Sequence, residues 1–160
     1  MGTGKSAVGR RVAAHLGRQF FDTDTLIEKE TKTSIPNIFA EHGEAHFRTL
    51  EKAAIEQVCR KQEVVIATGG GAIVNEENAE RLKENGILIC LTATPEVILA
   101  RVQGNADRPL LQGENPLEKI RSLLTTRAEA YARADVTIDT SELDIDRVVE
   151  KIVSLVKATQ

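Results

Sequence analysis

Short apolar runs alternate with segments whose apolar residues recur at helical spacing, from one end of the chain to the other. Val8, Val12 and Leu16 stand four apart, and Gly17 follows as a helix stop. Phe20-Phe21-Asp22-Thr23-Asp24 reads as a short strand ending in carboxylates, and Thr25-x-x-Glu28 has the spacing of a capping box. Ser34-Ile35-Pro36 starts a short helix that stops near Gly43, and Phe47, Leu50, Ala54 and Val58 mark one face of a longer one. Val64 to Thr68 is a buried strand running into Gly69-Gly70-Gly71. Asn75 caps a helix that ends at Gly86, Ile87 to Thr92 is the next strand, and Thr94-Pro95 opens another helix. The stretch from Gly104 to Asn115 has turn residues and no periodicity, so it reads as loop. Pro116 to about Ala132 is helical, Val136 to Asp139 is a strand, and Ile145 to Val156 is a final helix.

Strands separated by helical crossovers predict an α/β fold, a parallel sheet with helices on both faces. Four strands are present in the pattern. The length of 160 residues fits one domain over 1–160, and 41% apolar with 28% charged residues is ordinary for a globular protein. A net charge of −3 and 3% aromatics argue against a nucleic-acid partner, since neither a basic footprint nor a base-stacking surface is present. No apolar run has membrane-spanning length, so no membrane partner is expected. Cys59 and Cys90 lack metal-ligand spacing, and Cys90 sits in an apolar run, which suits a reduced thiol and a cytoplasmic location.

The chemistry begins at Gly2-Thr3-Gly4-Lys5-Ser6-Ala7, which has the back half of a phosphate-binding loop, G-x-x-x-x-G-K-[ST]. Glycines admit phosphate oxygens close to backbone N–H groups, and the helix that follows aims its positive end at them. Gly2, Thr3, Gly4, Lys5, Ser6 and Ala7 are therefore the candidate ATP-binding positions. Lys5 would reach the outer phosphates, and the Ser6 hydroxyl would ligate Mg2+. Met-Gly-x-x-x-Ser also fits an N-myristoylation signal, but no basic cluster accompanies it. The first fixed glycine would lie two residues before Met1, and a strand should lead into such a loop.

Asp22 and Asp24 stand two apart at a strand end, where ligands bind in open parallel sheets. Either they cap the next helix, or Asp22 helps to hold Mg2+ and Asp24 contacts the attacking hydroxyl. Arg48 and Glu51 stand three apart on a helix. They are either a solvated surface pair or an oriented clamp for a substrate carboxylate or phosphate. Gly69-Gly70-Gly71 is either a loose turn or a backbone against which a ligand lies directly. Arg108 stands in the unpatterned loop, where a cation closing over phosphates would stabilise transferring charge. Arg101 could lie against the nucleotide, and Arg127 could supply a second clamp. His15, His42 and His46 lack a third metal ligand and read as structural or exposed.

Taken together, GTGKS, FFDTD, FRTLE, ATGGGA, ADRPLL and TTRAEAY occur in the order and spacing of the shikimate kinases, which the chain resembles from Gly2 onward. The resemblance implies ATP-dependent phosphorylation of the shikimate 3-hydroxyl, on the route to chorismate and the aromatic amino acids. By that match Lys5, Asp24 and Arg108 are the catalytic positions, with Arg108 the lid arginine and Asp24 holding the shikimate hydroxyls. Ser6 and Asp22 serve the metal, and Arg101 lies beside adenine. Arg48, Gly69, Gly70, Gly71 and Arg127 form the shikimate site, the arginines meeting the carboxylate. The protein is expected to act as a monomer on small molecules alone. The implied P-loop kinase fold has three layers and strand order 2-3-1-4-5, with a lid at about 104–115 and a substrate-binding helical segment at about 25–60. The central first strand is absent from this chain, so a gap is expected between the strands at Val64 and Ile87, with lowered stability. The competing readings are a gluconate-type metabolite kinase and an inactive nucleotide-binding remnant.

Overall fold

A computed structural model describes residues 2–84, 86–103 and 115–159. In chain order the elements are α1 (Lys5–Leu16), β1 (Gln19–Asp22), α2 (Thr23–Thr31), α3 (Ile35–Cys59) and β2 (Val64–Ala67). A 3-10 turn at Ala72–Val74 leads to α4 (Glu76–Glu84), β3 (Ile89–Thr92), α5 (Pro95–Val102), α6 (Pro116–Tyr131), β4 (Val136–Asp139) and α7 (Ile145–Ala158).

The alternation predicted from periodicity is present, with one correction. The first strand stops at Asp22, because that residue caps α2 by accepting hydrogen bonds from the N–H groups of Asp24 and Thr25. The Thr25–Glu28 capping box therefore does not form. Glu28 Oε1 instead accepts from the Ile35 N–H at 2.9 Å and ties α2 to α3. The two helices expected before and after Gly43 are both present within α3, parted at Gly43, where φ is 79° and ψ is 174° and the backbone is not helical. A side chain there would be strained, so glycine lets one helix stop and the next begin without a longer loop.

β1 pairs with β2 in parallel, Asp22 lying opposite Ala67, and β3 pairs with β4 in parallel, Thr92 lying opposite Asp139. Val8 and Val12 of α1 meet Leu91, Ile138 and the buried face of α7 (Val148, Val149, Ile152, Val153) in the larger core. Ile27, Ile38, Phe47 and Ala54 form a second cluster between α2 and α3. These are the outer pairs of the expected order. β2 and β3 do not pair with each other: both line a cleft of about 440 Å³ that also takes in Val8, Val12, Ile152 and Val156. Its walls are mostly aliphatic, and no strand fills it among the described residues.

The β1–β2 register decides where the chemistry lies. With Asp22 beside Ala67, the start of α2 and the glycines after β2 leave the same end of the sheet as neighbours.

Candidate active site

Glycine at the entry to α1 is required twice. Gly2 has φ 60°, and a Cβ there would stand 2.8 Å from Val102 Cγ1 and 3.0 Å from Ile98 Cγ2, so the loop lies directly on α5. Gly4 is the α1 N-cap at φ 81°, and no side chain caps the helix. The positive end of α1 thus carries only backbone amides, the arrangement that suits a phosphate. Thr3 is buried, and its hydroxyl has no hydrogen-bond partner among the described residues.

The Ser6 hydroxyl donates to Asp22 Oδ2 at 2.5 Å, while Asp22 Oδ1 accepts from the Asp24 N–H at 3.0 Å. One oxygen of Asp22 thus caps α2, while the other faces Ser6 at the start of α1. A hydroxyl and a carboxylate oxygen in contact are the hard donors that Mg2+ takes. Among the described residues no group of three or more His, Cys, Asp or Glu side chains could hold a metal ion. An ion at Ser6 and Asp22 would thus complete its shell with phosphate oxygens and water.

Asp24 and Glu51 meet at Gly69. A Cβ on Gly69 would stand 2.7 Å from Glu51 Oε1 and 3.1 Å from Asp24 Oδ1. A Cβ on Gly71 would stand 2.7 Å from one terminal nitrogen of Arg48 and 2.9 Å from the other. The triple glycine is therefore no loose turn. The side chains that lie against it at Gly69 and Gly71 are the charged Glu51, Asp24 and Arg48.

Arg48 donates to Glu51 Oε2 at 2.8 Å and, from the other side of its fork, to Glu44 Oε1 at 2.9 Å. The Glu51 side chain is only 1% exposed, which rules out the surface-pair alternative. Burial pushes the Glu51 carboxyl above its ordinary range, and the neighbouring charges of Arg48 and Arg127 offset part of that rise. For Arg48, burial works against the charge, but Glu51 and Glu44 outweigh it and hold the guanidinium above its usual value. The arginine thus stays charged, and the carboxylate is the member whose charge costs free energy.

Arg127, 7% exposed on α6, joins this cluster through its electrostatic effect on Glu51. One turn later the Tyr131 hydroxyl donates to the Gly70 carbonyl at 2.6 Å. Arg101 is held apart from the acidic cluster. Its guanidinium donates to the Thr140 hydroxyl at 2.9 Å and the Thr140 carbonyl at 2.8 Å, just past β4. Arg108 and the rest of 104–114 lie outside the described residues. His15 Nδ1 donates to the Arg11 carbonyl one turn back, and His42 and His46 contact each other at the surface.

Asp24, Arg48, Gly69, Gly70, Gly71 and Arg127 are thus brought to one place, and Asp22 links them to Ser6. Sequence reasoning missed Glu44 and Tyr131. Each stands four residues from an arginine it had singled out, Arg48 and Arg127, and that spacing was the available signal.

A family model described as shikimate kinase matches residues 1–157. The chain is 47% identical over 153 residues to a shikimate kinase of Thermoanaerobacter pseudethanolicus, a match covering 96% of this chain and 90% of that protein. It is 48% identical over 153 residues to one of Caldanaerobacter subterraneus, with the same coverages of 96% and 90%. Among solved structures, the shikimate kinase from Acinetobacter baumannii in complex with shikimate superposes with a TM-score of 0.95 at 41% identity. That match covers 100% of this chain and 90% of the other.

Proposed function

The chain belongs to the shikimate kinase family, and from that premise we propose that it transfers the γ-phosphate of ATP to the 3-hydroxyl of shikimate. The observation that carries this reading is the contact of Ser6 with Asp22 beside the glycine-lined cluster, which brings a phosphate site and an acceptor site together.

Gly2 to Ala7 hold the ATP phosphates, with Lys5 on the outer ones. Ser6 and Asp22 hold Mg2+, which supplies charge neutralisation on the phosphates when bound. Asp24 takes up the shikimate hydroxyl and its proton, while Arg48 and Arg127 receive the carboxylate at the far side of the ring. Arg101 lies toward adenine, and Arg108 is the cation of a lid over 104–115. Phosphoryl transfer has a loose transition state, so catalysis rests on alignment and on cations around the moving charge. Two arginines at one end of the acceptor and a carboxylate at the other hold a single hydroxyl in line.

The substrate-binding segment spans about 25–60, and the protein works as a cytoplasmic monomer of one domain. No helix among the described residues is long and apolar enough to cross a membrane. The test is ADP release on adding shikimate to protein and ATP–magnesium, with gluconate as the comparison acceptor. Shikimate-dependent release that Asp24→Asn nearly abolishes, with ATP affinity kept, is expected. Release with gluconate instead, or none with either acceptor, overturns the assignment, and undiminished kcat in Asp24→Asn removes Asp24 from the mechanism.

A further inference from the structure

Tyr131 ends α6, yet its hydroxyl crosses 61 positions of sequence to reach the Gly70 carbonyl at 2.6 Å. We propose, resting on the kinase reading above, that Tyr131 is a positioning residue for the acceptor. Its hydroxyl fixes the Gly70 peptide and so keeps the floor of the shikimate pocket in register with Asp24 and Arg48.

Three successive glycines form the least constrained backbone a chain can have, because no Cβ restricts any of their dihedrals. In this protein that backbone must also be the most exactly held. Gly69 sits against Glu51 and Asp24, and Gly71 sits against the Arg48 guanidinium, with clearances too small for a methyl group. A rotation of the intervening peptide would re-aim its carbonyl and the next N–H, and with them the backbone on which those charged groups rest. The glycines have no side chains with which to resist it. An oxygen-to-oxygen bond at the short end of the normal range, anchored in a helix, supplies that restraint from outside.

Helix geometry adds a second point. Arg127 and Tyr131 are four residues apart, so they leave the same face of α6 one turn apart. One turn therefore delivers a buried cation to Glu51 and a strut to Gly70, and the helix cannot shift without moving both. Phenylalanine would preserve the ring packing and remove only the strut.

The protein has one tyrosine and no tryptophan, so its tyrosine emission comes from Tyr131 alone. Titrating wild type with shikimate should change that emission saturably, with the midpoint found by calorimetry. Tyr131→Phe should raise the KM for shikimate about tenfold, the factor for one lost hydrogen bond of about 1.4 kcal/mol. The KM for ATP should stay unchanged. A tyrosine that only stabilised α6 would lower Tm without this split. Emission indifferent to saturating shikimate, or a shikimate KM equal to wild type, overturns the inference, and the first of these needs no variant to fold. If wild type itself neither binds shikimate nor releases ADP with it, the kinase reading has failed and the positioning role falls with it.

Discussion

Gly69→Ala is the smallest change that reaches the centre of the site. It adds one methyl group, alters no charge and removes no proposed ligand-binding side chain. The new Cβ would lie 2.7 Å from Glu51 Oε1 and 3.1 Å from Asp24 Oδ1, where an ordinary contact begins at 3.4 Å. Glu51 must therefore retreat by about 0.7 Å and Asp24 by about 0.3 Å, or the loop must rise by as much. Glu51 has little freedom to retreat. Its side chain is 1% exposed, and its second oxygen is held by Arg48 at 2.8 Å, so moving it drags the guanidinium that rests on Gly71.

Overpacking of this kind costs about 1–3 kcal/mol, and in a domain of this size each kcal/mol lowers Tm by about 2–4 °C. The catalytic loss should be larger. A misplacement of about 1 Å can cost about a hundredfold in rate, so shifts of several tenths at two charged groups should lower kcat/KM for shikimate by about 10- to 100-fold. The KM for ATP should stay put, because Gly2 to Ala7 are untouched. Gly86→Ala is the control: its nearest neighbour would be the Leu82 carbonyl oxygen at 3.7 Å, an ordinary contact. It should match wild type in rate and in melting. Steady-state kinetics with shikimate varied, alongside thermal melts, decide the matter. A Gly69→Ala protein with wild-type kcat/KM would refute the claim that this glycine is there for close approach.

Two further outcomes follow from the same structure. Because burial raises the Glu51 carboxyl in the folded state, its contribution to stability is full below its ordinary value of 4.5 and is lost as pH rises through the raised native value. The urea midpoint of wild type, measured against Glu51→Gln, should therefore fall across that window, and a gap that stays constant with pH would show that burial does not govern this carboxyl. An apolar strand of about five residues added ahead of Gly2 should enter the cleft between β2 and β3 and raise the urea midpoint, at about 1 kcal/mol for each new backbone hydrogen bond. Equal midpoints would mean that the cleft does not accept a strand.

Most elements were legible because periodicity is a local property. The four-residue spacing of Val8, Val12 and Leu16 fixes a helix face whatever packs on it, and the unbroken apolar run Val64 to Ala67 marks a strand by its composition alone. Boundaries failed where two residues competed for one job. Asp22 and Thr25 are both good N-caps, and only the tertiary position of β1 selects Asp22. Tyr131 could not be assigned to Gly70 from sequence at all, since nothing local relates positions so far apart.

A carboxylate can fill two roles at once, because it has two oxygens with lone pairs in different directions. At Asp22 one oxygen takes the backbone of α2 and the other takes Ser6. At Glu51 one oxygen takes Arg48, and the other is pressed to Gly69. In both cases the bond to one oxygen sets the position of the other: the cap fixes the direction of Oδ2, and the ion pair fixes the depth of Oε1. A site built this way needs few dedicated residues, and it ties local folding to function closely enough that a substitution at either carboxylate disturbs both.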